Sequence, residues 1–159
     1  SMAKEHLYHS NLVWTGVEEK GPARDYRGYS RNHVIRIDGK PDLAGSSDPG
    51  FRGDASRHNP EDLLVASLSA CHMLWYLHLC TVNGIVVMAY EDHAEGRMVE
   101  DADGGGQFSN VTLRPRVTIE AGGDVEKALH LHHDASGKCF IARSMNFPVD
   151  HAPEIVLAG

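Results

Sequence analysis

Asn59-Pro60-Glu61-Asp62-Leu63-Leu64-Val65-Ala66-Ser67-Leu68-Ser69-Ala70-Cys71-His72, running on through Met73, Leu74, Trp75 and Leu79 to Val82 and Asn83-Gly84, is where the architecture declares itself. Asn59 is a good N-cap, Pro60 suits the first helical position, and acids in the first turn meet the positive end of the helix dipole. Asn83-Gly84 supplies the stop. The spacing predicts a helix over Leu63 to Val82, apolar on nearly all sides, so it must be buried or covered by another subunit.

Outward from this helix, Leu7 to Thr15 and Ser30 to Asp38 are short and rich in β-formers, and read as two antiparallel strands flanking a Gly/Pro/charged stretch from Gly16 to Gly28. Asp38-Gly39 marks a turn, and Gly45-Ser46-Ser47-Asp48-Pro49-Gly50 reads as a loop without periodicity. After the helix, Ile85 to Ala94 and Val111 to Ile119 read as strands, with Glu100 to Gly106 as an exposed hairpin tip. Asp124 caps a second helix reaching about Ser136 and ending at Gly137, and Glu154 to Leu157 reads as a last strand. The expected order is β-β-α-β-β-α-β in one α+β domain spanning residues 1–159.

Composition narrows the function classes. The 159 residues are 42% hydrophobic and 23% charged, ordinary values for one globular domain. No apolar run approaches the roughly 18 residues of a membrane span, and the polar SMAKEHLYHS start does not read as a secretory signal. Ser1 ahead of Met2 reads as an expression scar. A net charge of -7 with dispersed basic residues disfavours nucleic acid and anionic membrane as partners. Three cysteines, an odd and low count, point to a reducing, cytoplasmic setting.

Cys71, Cys80 and Cys139 have no CxxC partner, which removes zinc ribbons and thioredoxin-type motifs. Cys71 and Cys80 lie nine residues apart on one helix, on opposite faces and about 13 Å apart, too far for a disulfide. If two thiols act together, they are Cys71 and Cys139. The plain alternative is three buried small hydrophobes. His72 diverges from Cys71 by about 100° around the helix and is not placed as its base. His130-Leu131-His132-His133 could ligate a metal, but HExxH is absent and a partly exposed polar helix face accounts for it; no metal or cofactor is expected.

The Asn59-Pro60-Glu61-Asp62-Leu63-Leu64 run, then Ala66, Leu68 and Ala70-Cys71-His72, with a second cysteine after His132 and Ala135, resembles the OsmC/Ohr family of organic hydroperoxide reductases, in particular its OsmC branch. The resemblance spans most of the chain. It implies an OsmC-like fold, an intertwined homodimer with sites at the subunit interface, and a Cys-based peroxidase for organic hydroperoxides recycled by a dithiol or a lipoylated protein. In that reading Cys71 is the peroxidatic thiolate, Cys139 the resolving thiol, and Glu61 holds the arginine that activates Cys71. Arg52 best matches that arginine's place, with Arg31 second and Arg24 and Arg27 further candidates. Ten helical residues separate Glu61 from Cys71, about 15 Å of rise, so either the chain bends near Pro60 or a second subunit supplies the partner.

Met73, Leu74, Trp75, Phe140 and Ile141 flank the thiols in sequence and would line an apolar pocket suited to organic peroxides. Ser136 stands where related chains often carry His, and Gly137-Lys138 is expected to loosen the helix end beside Cys139. The competing reading is a non-catalytic OsmC-like module holding a small molecule in an interfacial apolar cavity.

Overall fold

A computed structural model describes residues 3–159; Ser1, read as an expression scar, and Met2 lie outside the described residues. The chain forms two compact units, one ending at Leu63 and the other beginning at Leu64.

In the first unit, β1 (Asn11–Trp14), β2 (His33–Arg36) and β3 (Leu43–Gly45) form an antiparallel sheet in the order β1-β2-β3. The N-terminal strand pair is as expected, with Val13 opposite Val34. Two details differ. A short helix, α1 (Gly16–Lys20), occupies part of the Gly16 to Gly28 connection, and β3 takes Gly45 from the expected loop. The rest of that loop holds a 3-10 turn at Pro49–Phe51, closed by the Asp48 carboxylate accepting from the Gly50 N–H at 2.7 Å.

α2 (Pro60–Val82) starts with a reciprocal cap: the Asn59 side chain accepts from the Asp62 N–H at 2.8 Å, and the Asp62 carboxylate accepts from the Asn59 N–H at 3.2 Å. It ends as expected at Gly84, whose φ of 74° allows the Ile85 N–H to reach back to the Cys80 carbonyl at 2.9 Å. The helix is 23 residues long and, by length and composition alone, apolar enough to cross a membrane, which corrects the expectation that no such run exists. Nor is it buried on all sides. Leu68, His72, Tyr76 and Cys80 form one buried stripe, whereas Leu74 is 63% and Val82 64% exposed.

The remaining elements of the second unit are β4 (Val87–Asp92), β5 (Glu95–Glu100), β6 (Gly106–Leu113), β7 (Pro115–Ile119), α3 (Val125–Lys138), β8 (Val149–His151) and β9 (Glu154–Leu157). They build two three-stranded sheets, β4-β7-β9 and β5-β6-β8. The expected strand after Ile85 is thus followed by a second, β5, which pairs with β6 across the predicted hairpin tip. The expected Val111 to Ile119 strand breaks at Arg114, whose N–H leaves the ladder to donate to the Asp92 carboxylate at 2.6 Å. β4–β7 and β5–β6 are antiparallel, but β8 and β9 add in parallel to β6 and β7. The α+β class stands, with mixed rather than purely antiparallel sheets.

Tyr76 and Cys80 of α2 pack with Val117 and Ile119 of β7 and with Ala128, Leu131 and Ala135 of α3. Leu68, two stripe positions before Tyr76, packs with Val111 and Leu113 of β6. This apolar burial, of order 25 cal/mol per Å², holds α2 and α3 against the sheets and fixes which residues of the two helices meet.

Candidate functional site

Cys71 projects from the middle of α2 and Cys139 follows directly on α3. α3 begins with the Asp124 side chain accepting from the Lys127 N–H at 3.0 Å, as expected, but does not end at Gly137. It continues through Lys138 because the Cys139 N–H still closes onto the Ala135 carbonyl at 3.0 Å. The helix end beside Cys139 is therefore closed rather than loosened, and the Ser136 hydroxyl caps back onto the His133 carbonyl at 2.7 Å.

The two thiols are neighbours: all three cysteines are free, and Cys71 is close enough to Cys139 to act on its thiol. Cys71 is half-buried while Cys139 is only 1% exposed. Burial, then the neighbouring Cys71, pushes the Cys139 thiol up to about 11, with the Ala142 N–H opposing at 3.5 Å from Sγ. Of the two sulfurs, Cys71 is therefore the more accessible and Cys139 the one burial keeps protonated. Cys80 is buried separately beside Tyr76, and burial raises its thiol.

Around the thiols the expected apolar lining is present in part. Trp75 lies one turn beyond Cys71, 5.6 Å from the Phe140 ring, with Lys138 Nζ 5.8 Å over the indole. Leu74, Trp75 and His78 line a shallow apolar cavity of about 230 Å³. Ile141 instead packs against the Leu68, Val111 and Leu113 cluster.

His72 and His132 make a centre that the sequence reading did not anticipate. The expected exposed polar face of His130 to His133 is split: His130 is exposed beside Asp134 at 3.7 Å, whereas His132 is 2% exposed. His72, 1% exposed, meets it through Nε2···Nδ1 at 3.0 Å. His132 stacks on Tyr76 at 3.8 Å between ring centroids, and His151 lies 4.5 Å from His72. Burial lowers His72 to about 4 and His132 to about 3, so both rings are neutral at neutral pH. Among the described residues, no group of three His, Cys, Asp or Glu is placed to hold a metal ion. The available signal was spacing: His72 shares its stripe with Leu68, Tyr76 and Cys80, and His132 follows Ala128 by four.

The other candidates belong to the first unit. Glu61 lies in the first turn of α2, and its Oε2 is buried without a hydrogen-bond partner. Arg52 occupies a left-handed position, φ 66°, after the 3-10 turn, and its guanidinium reaches the Arg27 carbonyl at 3.5 Å. Among the described residues neither hydrogen bond nor ion pair joins Glu61 to Arg52. Arg31 stacks on Tyr29 at 3.7 Å and donates to the Tyr29 and Tyr26 carbonyls. Arg57 holds the loop by donating to the His33 carbonyl at 3.1 Å.

A family described as OsmC-like protein matches residues 53–154. Among solved structures, an OsmC-like protein of unknown function from Vibrio cholerae O1 biovar eltor is 27% identical with a TM-score of 0.83, over 96% of this chain and 100% of that chain. An organic hydroperoxide resistance protein, OsmC, from Legionella pneumophila is 20% identical with a TM-score of 0.68, over 96% and 99%. An organic hydroperoxide resistance protein from Elizabethkingia anophelis is 19% identical with a TM-score of 0.67, over 98% and 100%. No curated protein matches the chain.

Proposed function

Because this chain belongs to the OsmC-like protein family, we propose that it is a thiol peroxidase with a role in peroxide resistance, reducing organic hydroperoxides through Cys71 and Cys139. The observation that carries this reading is the nearness of the half-buried Cys71 to the fully buried Cys139. The Cys71 thiolate attacks the terminal peroxide oxygen; the O–O bond breaks, the alcohol leaves with one proton, and Cys71 becomes a sulfenic acid. Cys139 then attacks the Cys71 sulfur, forming the disulfide and releasing water, and a dithiol reduces the disulfide at the cost of its own oxidation. The resemblance assigns Glu61 and Arg52 the carboxylate and the cation that favour the Cys71 thiolate. The buried, unpartnered Glu61 Oε2 favours a guanidinium there in the assembled protein.

Further parts of the reading follow from the same premise. The whole chain, residues 1–159, acts as one OsmC-like domain in a homodimer, which the exposed apolar positions Leu74 and Val82 on α2 favour. Three free cysteines favour a cytoplasmic setting. The Trp75 and Phe140 rim favours an apolar peroxide over hydrogen peroxide. The test is peroxide-dependent consumption of a dithiol with cumene hydroperoxide and with hydrogen peroxide, on wild type, Cys71→Ser and Cys139→Ser. Loss of turnover in Cys71→Ser with preference for the organic peroxide is the expected result. Equal, negligible rates in all three would replace the enzyme by the non-catalytic binding module.

A further inference from the structure

The two sulfurs differ in ways that bear on how the enzyme is reset, a step the peroxidase reading leaves undirected. Cys71 is half-buried on the face of α2 it shares with Trp75, whereas Cys139 is 1% exposed. Behind Cys139 the chain turns at once: the Arg143 N–H returns to the Cys139 carbonyl at 3.0 Å, and the Ala142 N–H points at Cys139 Sγ at 3.5 Å. The Ile141 N–H acts on the same sulfur. Cys139 is thus screened from an external nucleophile, and the Ala142 N–H beside its sulfur only partly offsets the burial that raises its thiol.

Thiol–disulfide exchange needs an attacking thiolate in line with the S–S bond and an accessible sulfur to receive it, and here access decides the direction, because only Cys71 can be reached from outside. We infer that the external dithiol attacks Cys71, not Cys139, and that the Cys139 thiolate is the leaving group, with the Ala142 N–H beside it. The reductant's sulfur bonds to Cys71 Sγ as the Cys71–Cys139 bond breaks, and the electron pair departs with Cys139 Sγ, which then takes a proton. The reductant's second thiolate next attacks its own first sulfur. That releases the Cys71 thiolate and the cyclic disulfide, so the protein disulfide is reduced by two electrons and the dithiol oxidised by two. The buried Cys139, once protonated, leaves the more accessible Cys71 ready for the next peroxide. Cys71 is then the entry point for both oxidant and reductant, so the two compete for one opening.

This inference rests on the peroxidase reading, and the experiment separates the two. Wild-type protein is treated with one equivalent of cumene hydroperoxide, and an intact mass two hydrogens lighter reports the disulfide. The oxidised protein then receives a brief pulse of 2-mercaptoethanol, an acid quench and maleimide alkylation, and peptide mass spectrometry locates both labels. Mercaptoethanol on Cys71 with maleimide on Cys139, in excess of about tenfold over the reverse, is the expected pattern. The reverse pattern, or an even mixture, overturns the inference while leaving the peroxidase reading intact. Failure to form the disulfide overturns both.

Discussion

Acid should destabilise this protein through two buried imidazoles. His72 and His132 are neutral in the folded state because burial lowers them to about 4 and about 3, whereas an exposed histidine in the unfolded chain titrates near 6.5. Below that value the unfolded state binds protons the folded state refuses, so stability present above pH 6.5 is lost as pH falls toward 4. At pH 5 each ring accounts for about 2 kcal/mol, about 4 kcal/mol together, a large part of a typical domain's stability. His151 is also lowered by burial, with Asp150 and Asp92 opposing, and adds in the same direction. The assay is urea unfolding at pH 7.5 and pH 5.0 on wild type and on the double variant His72→Gln, His132→Gln, which keeps polar partners across the same gap. Wild type should lose about 4 kcal/mol more than the variant over that interval. Equal losses within about 1 kcal/mol would refute the reasoning. Should the variant not fold, histidine side-chain NMR on wild type decides the matter: two rings must remain uncharged at pH 5, and protonation of both near 6.5 would sink the argument.

Leu68→Ala should cost about 3 kcal/mol in urea unfolding, since Leu68 is fully buried against Val111 and Leu113 and its loss leaves a cavity. Asp92→Ala removes the acceptor of both the Ser69 hydroxyl and the Arg114 N–H, and a loss of about 2 kcal/mol is expected; a change below about 0.5 kcal/mol would mean that water replaces it. Asn59→Ala breaks the reciprocal cap at the start of α2 and should lower stability by about 1 kcal/mol, read from the melting temperature. Arg52→Ala and Glu61→Gln should each slow Cys71 alkylation by iodoacetamide at neutral pH and peroxide reduction about tenfold or more; unchanged alkylation in both would move the activating cation to another arginine.

Local chemistry made much of the chain legible. Asn59, Pro60 and Asp62 mark the start of α2 because capping depends on neighbours within four residues, and Gly84 marks its end because only a residue free of Cβ strain turns there. Asp124 announced α3 for the same reason, and the β-rich runs around Val13 and Val34 announced their own pairing. Removing the Cys71–Cys80 pair needed only the helical rise, since nine residues on one helix cannot close a disulfide. What sequence spacing alone determined, then, was which residues could not meet along one element, and which ends were capped.

Tertiary structure decided the rest, because the contacts join residues far apart in the chain. Whether the first and last thiols meet depends on how α3 docks beside α2 on the sheets, and that rests on Tyr76, Ala128, Leu131 and Val117 packing together. The same docking took His132 from an expected solvent face into contact with His72, 60 residues earlier. The closed end of α3 depends on one carbonyl, that of Ala135, finding the Cys139 N–H despite an intervening glycine. The parallel placement of β8 and β9 has no local signature, since a strand carries its alternation but not the direction of its neighbour. Capping and turns are short-range bonds that a sequence displays directly; the pairing of thiols and of imidazoles is set by apolar surface that becomes buried only once the whole unit has closed.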